Sequence, residues 1–104
     1  MRKNDKNLAN VFKALADKNR LKILLFIYEQ ECKCGENKFS CRNETCIKDL
    51  SKQLDITMPT ISHHIKELVK TGLITTKKEG KWVYCGIRKG KFKNINNFLN
   101  KFIN

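Results

Sequence analysis

The fold of this 104-residue chain is decided by residues 45–71, which read TCIKDLSKQLDITMPTISHHIKELVKT. Three apolar residues in this stretch share one face of a short helix: Ile47, Leu50 and Leu54. Asp55 and Ile56 predict a tight turn, and Thr57 is a residue type that caps a second, longer helix. A short helix, a short turn and a longer helix form the pattern of a helix-turn-helix.

Two further helices are predicted before this segment. The first has apolar residues at the i, i+3, i+4, i+7 spacing, namely Leu8, Val11, Phe12 and Leu15. Asp17 is a good N-cap for the second helix, which we expect to run from about Lys18 to Gln30. Apolar residues surround most of that helix, so we predict that it is central and buried.

A hairpin and a last helix are predicted after the helix-turn-helix. Residues 73–78 (LITTKK) and 81–87 (KWVYCGI) are β-type runs joined across Glu79 and Gly80. The last helix has one apolar stripe, made of Phe92, Ile95, Phe98, Leu99 and Phe102. We therefore predict a single, mainly α domain over residues 1–104, a winged helix-turn-helix of order α-α-α-α-β-β-α whose β-hairpin is the wing.

A Cys-rich stretch, ECKCGENKFSCRNE, interrupts the helical pattern at residues 31–44. It has no periodicity and is long compared with the usual connection of roughly 4–6 residues, so we predict a loop inserted into the domain at about 31–44. The opening residues, MRKNDKN, lack the apolar core of a secretory signal. Five cysteines in a cytoplasmic chain are more typical of thiols or metal ligands than of disulfides.

The charge of the chain predicts a polyanionic partner. There are 22 Lys and Arg residues against 10 Asp and Glu residues, a formal net charge of +12, which favours nucleic acid over an anionic membrane. Residues 57–104 contain ten basic side chains and two acidic ones, so the excess surrounds the second helix of the motif and the wing. No apolar stretch is long enough to span a membrane, and we expect a cytoplasmic protein without a membrane partner.

The helix over residues 58–71 predicts a surface that reads DNA. One side of it is apolar, and the other carries hydroxyl, imidazole and ammonium groups, which suit base edges and phosphates. The lysines that flank the wing tip suit contacts with the DNA backbone. The candidate DNA contacts on the helix and the wing are Thr57, Pro59, Thr60, Ser62, His63, Lys66, Lys77, Lys78 and Lys81. His63 and His64 point about 100° apart on a helix. We therefore expect His63 to contact DNA, His64 to be flanking or partly buried, and neither to bind a metal.

Three stretches resemble the arsenic-repressor (ArsR/SmtB-type) family of metalloregulators: residues 15–24 (LADKNRLKIL), residues 44–74, and residues 79–87 (EGKWVYCGI). The resemblance implies a winged helix-turn-helix homodimer that represses transcription from an inverted-repeat operator in double-stranded DNA. It implies release from that operator when a metal or metalloid binds. It also places Pro59, Ser62 and His63 at the family's DNA-contact positions, and the dimer interface on the first and last helices, which fits their apolar stripes.

The chain departs from that family at its metal sites. Residues 44–50, ETCIKDL, resemble the family's metal box ELCVCDL, with Cys46 at the position of its first cysteine. Lys48 stands at the position of the second cysteine, so the box alone cannot bind a soft metal. Residues 91–104 contain no His, Asp, Glu or Cys, so the ligands found in the last helix of many zinc-sensing members are absent. The Cys-rich loop is an insertion relative to the family.

The candidate metal ligands are Cys32, Cys34, Cys41 and Cys46. Three or four thiolates suit Zn²⁺, Cd²⁺ or Pb²⁺, and three suit As(III). These residues leave several readings open: sensing of an inducing ion, a structural zinc that folds the loop, redox sensing through a disulfide, and idle thiols. Cys85 alternates with Val83 and Ile87 on one strand face, which predicts a buried apolar residue.

The function predicted from these features is that of a homodimeric DNA-binding repressor released by a thiophilic metal or metalloid ion. A metal–thiolate clamp that includes Cys46 would pull on the first helix of the motif and re-aim the second. The alternative is a winged-helix DNA-binding regulator whose cysteines hold a structural zinc or sense redox state. We do not expect an enzyme, because the two histidines both lie on the reading helix and there is no Gly-rich phosphate loop.

Overall fold

The computed structural model describes residues 2–34, 45–80 and 82–103. Its helices are α1 (Lys3–Leu15), α2 (Lys18–Cys34), α3 (Ile47–Leu54), α4 (Met58–Lys70) and α5 (Lys89–Ile103). Its strands are β1 (Thr45–Cys46), β2 (Ile74–Glu79) and β3 (Trp82–Ile87). The predicted winged helix-turn-helix is confirmed, with one short strand added before α3. Within the described ranges, no helix has the length and apolar character needed to cross a membrane.

The three strands form one antiparallel sheet in the order β1-β3-β2. The hairpin register runs from Ile74 opposite Ile87 to Glu79 opposite Trp82. Gly80 has a φ of +60° at the turn, a conformation that glycine adopts without steric cost. Strand β1 pairs with β3 through only two residues. The sequence does not predict this strand, because two residues carry no periodicity and their partner strand lies about forty positions further along the chain.

Helix α2 is central, as its sequence predicts, but the expectation that it is buried nearly all round is wrong. Leu21, Leu25 and Tyr28, on one of its faces, are 42%, 52% and 55% exposed. The helix contacts α1, α3 and α4 and two of the strands. The largest fully buried side chains lie on α2 itself and on α1, α3, α4 and the hairpin segment: Val11, Ile23, Ile27, Leu50, Ile61, Leu68, Leu73, Ile74 and Cys85. The prediction that Cys85 is a buried apolar residue is confirmed. The core therefore joins the helix-turn-helix, the hairpin and the first helix into one unit.

The turn between α3 and α4 is closed by two hydrogen bonds between Ser51 and Ile56. Asp55 adopts the left-handed conformation with a φ of 54°, and the Ile56 N–H donates to the Ser51 carbonyl at 3.3 Å. The Ser51 hydroxyl donates in return to the Ile56 carbonyl. Ile56 packs against the core, as the sequence predicts. These contacts fix the angle at which α4 leaves α3.

Helix α2 is longer than its sequence pattern predicts. We expect its end near Gln30, but the helix continues through Cys34. Nothing in residues 31–34 disfavours a helix strongly, and Gly35 is the first residue that does so by its type. The predicted loop at 31–44 is therefore corrected at its start, because residues 31–34 are helical. Its remainder, residues 35–44, lies outside the described residues.

Candidate DNA interface and thiol residues

The N-terminal end of α4 is open to solvent. Thr57 is its N-cap residue, with an extended backbone (φ −63°, ψ 151°) and no side-chain cap bond. Its hydroxyl instead donates to the hydroxyl of Thr60 at 2.9 Å. The first N–H groups of a helix have no partner inside the helix, and together with the helix dipole they attract phosphate. The local structure thus presents an uncapped helix start as a place for an anion.

The exposed face of α4 carries six of the residues that the sequence singles out: Thr57, Pro59, Thr60, Ser62, His63 and Lys66. All six are exposed, whereas Ile61, Ile65 and Leu68 on the opposite face are buried. The apolar face holds the helix on the core, so its polar face must point outward. The structure therefore brings the six side chains to one solvent-facing surface.

The wing stands beside this surface. A groove of about 400 Å³ separates α4 from the sheet, with Ser62 and Lys66 on one wall and Thr76 and Val83 on the other. Since strand side chains alternate between faces, Lys78 shares the face of Thr76, which lines that groove. Both Lys77 and Lys78 are exposed. Lys81 lies outside the described residues.

Lys77 differs from Lys78 in its surroundings. Its Nζ lies 3.1 Å from Oε1 of Glu79, and both side chains are largely exposed. Lys77 and Glu79 are two positions apart, so they share the face of β2 that is opposite to Lys78. A neighbouring carboxylate reduces the local positive potential, so Lys78 is the more effective cation on this strand.

His64 is more buried than the sequence suggests, with 7% of its surface exposed. Nε of Arg20, in the first turn of α2, donates to Nδ1 of His64 at 3.3 Å. Burial is the main cause that lowers the pKa of His64 from 6.5. The nearby Arg20 and His63 act in the same direction, while the Asp17 carboxylate opposes them. The result is a neutral imidazole that accepts a hydrogen bond and ties α4 to α2.

Asp17 caps α2, as its sequence position predicts. Its Oδ1 accepts hydrogen bonds from the backbone N–H groups of Asn19 at 2.9 Å and Arg20 at 3.1 Å. The bond from Arg20 is the largest cause of a lowered pKa for the Asp17 carboxyl group. The cap therefore fixes the start of α2, from which Arg20 reaches His64. The sequence does not predict the Arg20–His64 contact, since the two residues are 44 positions apart and belong to different helices.

The structure locates the four candidate thiols only in part. Cys46 is half-buried and free, ends β1, and is the N-cap residue of α3 with an extended backbone. Cys32 and Cys34 lie in the last turn of α2, where their side chains are not described, and Cys41 lies outside the described residues. In the parts of the chain that the structure describes, no three His, Cys, Asp or Glu side chains come together as metal ligands.

Lys48, at the position of the absent second box cysteine, has a different contact. Its Nζ lies 5.4 Å from the centroid of the Trp82 ring at the start of β3. This distance is typical of a cation–π contact. The first turn of α3 is therefore joined to the wing by a side-chain contact as well as by the pairing of β1 with β3.

Helices α1 and α5 expose apolar side chains. The rings of Phe12 and Phe98 lie 5.9 Å apart between centroids, and those of Phe98 and Phe102 lie 5.2 Å apart. Phe102 and Ile103 are 75% and 76% exposed. An apolar surface of this kind at one end of a small domain is typical of an interface.

Comparisons with known proteins agree with this geometry. The model of the family described as bacterial regulatory protein, arsR family, matches residues 41–76. A cadmium resistance transcriptional regulatory protein of Listeria innocua is 32% identical over 86% of this chain, and the chain spans 65% of the length of that relative. An uncharacterised HTH-type transcriptional regulator of Methanocaldococcus jannaschii is 33% identical, with 84% of each chain covered. The crystal structure of an ArsR family transcriptional regulator has a TM-score of 0.74 and 26% identity, covering 97% of this chain and 91% of its own.

Proposed function

Because the chain belongs to the arsR family of bacterial regulatory proteins, we propose that it is a homodimeric DNA-binding repressor. Its operator is an inverted repeat in double-stranded DNA, and binding of a thiophilic metal or metalloid ion through cysteine thiolates releases it. The relatives are transcriptional regulators, which agrees with the expectation that the chain is not an enzyme.

The observation that carries DNA binding is the exposed polar face of α4 beside the basic wing. A helix in a major groove presents side chains from its N-terminal half to base edges, while cations at the flanks contact phosphates. Ser62 and His63 lie on that half of α4 and are exposed. Lys66 lines the groove between α4 and the wing. Lys78 shares the strand face of Thr76, which lies on the other wall of that groove. Two such surfaces must be roughly 34 Å apart to reach successive major grooves.

The apolar residues on α1 and α5 support a homodimer built from these helices. Phe12, Leu99, Phe102 and Ile103 are all at least 40% exposed in the single chain. Covering such side chains with a second copy removes apolar area from water and stabilises the pair. The same arrangement leaves both α4 helices free for DNA.

The position of Cys46 supports a metal–thiolate clamp that acts on the helix-turn-helix and the wing. Cys46 is the last residue of β1 and the N-cap of α3, so a ligand bond to its Sγ acts on α3 directly. Since β1 pairs with β3, the same bond acts on the wing. The other proposed ligands, Cys32, Cys34 and Cys41, precede Cys46 in the chain. Thiolates of this number suit Cd²⁺, Zn²⁺, Pb²⁺ or As(III), and the relative in Listeria innocua is named for cadmium resistance.

DNA binding is tested by selecting a duplex from a random library and measuring its affinity by fluorescence anisotropy with reduced protein. We expect Ser62→Ala and His63→Ala each to weaken binding to the selected duplex about tenfold, since a good base contact contributes roughly 1–3 kcal/mol. Asn97→Ala, at an exposed position of α5, is the control and should bind as the wild type does. A wild-type chain that selects no sequence would refute the proposal.

The metal–thiolate clamp is tested with Cys46→Ser and, as a control with the same number of thiols, Cys85→Ala. We expect Cd(II) or As(III) to release the wild type and Cys85→Ala from DNA, while Cys46→Ser stays bound. A Cys46→Ser variant that releases DNA like the wild type would refute the clamp. Zinc that stays bound to the wild type in its DNA complex would favour the alternative, in which the cysteines hold a structural zinc. Release by peroxide alone would favour redox sensing.

A further inference from the structure

A polar cavity lies at the C-terminal end of α4, away from the exposed N-terminal face. Its volume is about 550 Å³, and its walls come from α1, the start of α2, the last turn of α4 and the segment that enters α5. Small-molecule sites are typically cavities of roughly 300–1,000 Å³. Lys70, on its wall, lies eight residues beyond Ser62, a distance of roughly 12 Å along the helix axis. The cavity is therefore distant from the proposed base contacts, although Val69 and Lys70 line both it and the groove beside the wing.

The charge on the walls of this cavity is mostly positive. Its cationic lining residues are Lys13, Arg20, Lys70, Arg88 and Lys91. Glu67 is the one acidic residue among the described residues that line it. Within the described residues, none of the five cations forms a salt bridge. Five cations around one concavity repel one another, so an anion bound there would offset the repulsion.

The start of α5 adds to this positive potential. Residues 88–93 read RKGKFK, and the first turn of α5 contains no acidic residue. Cations at a helix N-terminus are unfavourable because the dipole is positive there, and anions are favourable. A smaller adjoining cavity shares Gly72, Arg88 and Lys91 with the first one. The two openings therefore meet where the helix start and the basic side chains coincide.

The cationic side chains have the chemistry that binds phosphate. A Cβ atom built at Gly72 would lie 3.6 Å from Cδ of Lys91, so the aliphatic stem of Lys91 packs over the Gly72 turn. Arg20 is held by its bond to His64. Guanidinium groups such as those of Arg20 and Arg88 bind phosphate oxygens in pairs, while Lys contributes a point charge.

We infer that this cavity binds a small polyanion with phosphate groups, of the class of pyrophosphate or a nucleoside phosphate. A DNA backbone carries the same chemical group, but a small ligand fits a concave cavity of this size better than a duplex does. The inference does not depend on the proposed DNA binding.

The first experiment titrates the full-length chain with sodium pyrophosphate at constant ionic strength and follows backbone amides by two-dimensional NMR. We expect saturable shifts at Gly72, Gly90 and Lys91, and no shift at Trp82 in the wing. Shifts that are spread evenly over the Lys-rich surface, or that do not saturate, would overturn the inference.

The second experiment compares two double variants that lose the same charge from the same region. Arg88→Gln with Lys91→Gln removes cations from the cavity. Lys89→Gln with Lys93→Gln removes cations from the other side of α5, where they line an apolar groove. We expect pyrophosphate binding to weaken at least tenfold in the first variant and less than threefold in the second. Equal losses would overturn the inference.

A third arm separates a small ligand from DNA as the source of phosphate. The salt dependence of duplex binding is measured for both double variants, which remain comparable as long as their circular dichroism matches the wild type. Equal slopes in the two variants support a site for a small ligand. A slope smaller by about 2 in the Arg88/Lys91 variant alone, without saturable pyrophosphate binding, would mean that the cavity contacts the DNA backbone.

Discussion

At the scale of residues, the contact between Arg20 and His64 adds a polar connection between α2 and α4 to the apolar packing of α4 on the core. A neutral imidazole accepts the Arg20 N–H at 3.3 Å, and Arg20 follows the cap that Asp17 places on α2. Protonation of His64 would remove the acceptor and place a second positive charge beside the guanidinium. This hydrogen bond between α2 and α4 is therefore sensitive to pH.

The stability of the domain should decrease in mild acid. The folded state holds the pKa of His64 below 6.5, so as pH falls the unfolded chain takes up this proton first. His64 thus lowers the free energy of unfolding progressively below about pH 6.5, and has no such effect above it. Asp17, whose pKa is lowered from 3.8, acts at lower pH. Its contribution to stability is present above pH 3.8 and is lost as pH falls through its pKa in the folded state.

We test this with His64→Gln, whose amide oxygen can still accept from Arg20. Urea unfolding between pH 7.5 and 5 should show a smaller loss of stability in the variant than in the wild type. Equal pH dependence in the two proteins would show that His64 is not responsible.

At the scale of elements, the ends of α4 and the two strands of the wing have separate physical tasks. The start of α4 has no side-chain cap, which leaves its N–H groups for a ligand. Its end is closed by bonds from the Gly72 N–H to the Val69 carbonyl and from the Leu73 N–H to the Leu68 carbonyl. The Arg88 N–H then donates to the Leu73 carbonyl, which joins the end of β3 to this turn.

The turn after α4 should require glycine. Gly72 has a φ of +83°, and a Cβ there would meet only ordinary contacts with Lys91. We expect Gly72→Ala to lower the free energy of unfolding by roughly 1–2 kcal/mol through backbone strain alone. Gly90 lies inside α5 with open space around it, and Gly90→Ala should stabilise the chain by about 0.5 kcal/mol. Urea denaturation measures both changes in the free energy of unfolding. The same sign of change in both variants would contradict the assignment of backbone strain to position 72.

The two wing lysines should differ in their contribution to DNA binding. Lys78 lies on the face of β2 toward α4, whereas Lys77 pairs with Glu79 on the other face. We expect Lys78→Gln to reduce the slope of log affinity against log salt by about 1. Lys77→Gln, the matched control, should reduce it by less. Anisotropy at several salt concentrations checks this, and a larger effect of Lys77→Gln would assign the opposite face of the wing to DNA.

At the scale of the whole molecule, the proposed DNA contacts and the most exposed apolar residues lie on different elements. The proposed DNA contacts belong to α4 and the wing, whereas Phe102 and Ile103, at 75% and 76% exposure, end α5. This division lets two copies join through one face while both present the other to DNA. It is also compatible with the proposed self-association of a chain with a net charge of +12, since the apolar helices need not bring the basic faces together.

Self-association should depend on the exposed aromatic end of α5. Phe102→Glu places a charge in the proposed interface and should convert the dimer to a monomer. Asn97→Glu adds the same charge at an exposed position on another side of α5 and should leave the dimer intact. Sedimentation velocity measures the assembly state. A dimer that persists in Phe102→Glu would place the interface on another surface.

The sequence by itself determined the elements whose signals are local. The apolar spacing of α1, α2, α3 and α4, the cap at Asp17, the glycine turn of the wing and the basic charge can all be read within a few residues. The exposed row on α4 follows from the same periodicity, because a helix that buries Ile61 and Ile65 must expose Ser62 and His63.

Tertiary structure alone decided the contacts that join distant parts of the chain. The pairing of Cys46 with Tyr84, the bond from Arg20 to His64 and the position of Lys48 over Trp82 each link residues more than thirty positions apart. The basic cavity needs five cations from four separate segments. No local periodicity encodes such contacts, because they depend on how the elements pack around α2.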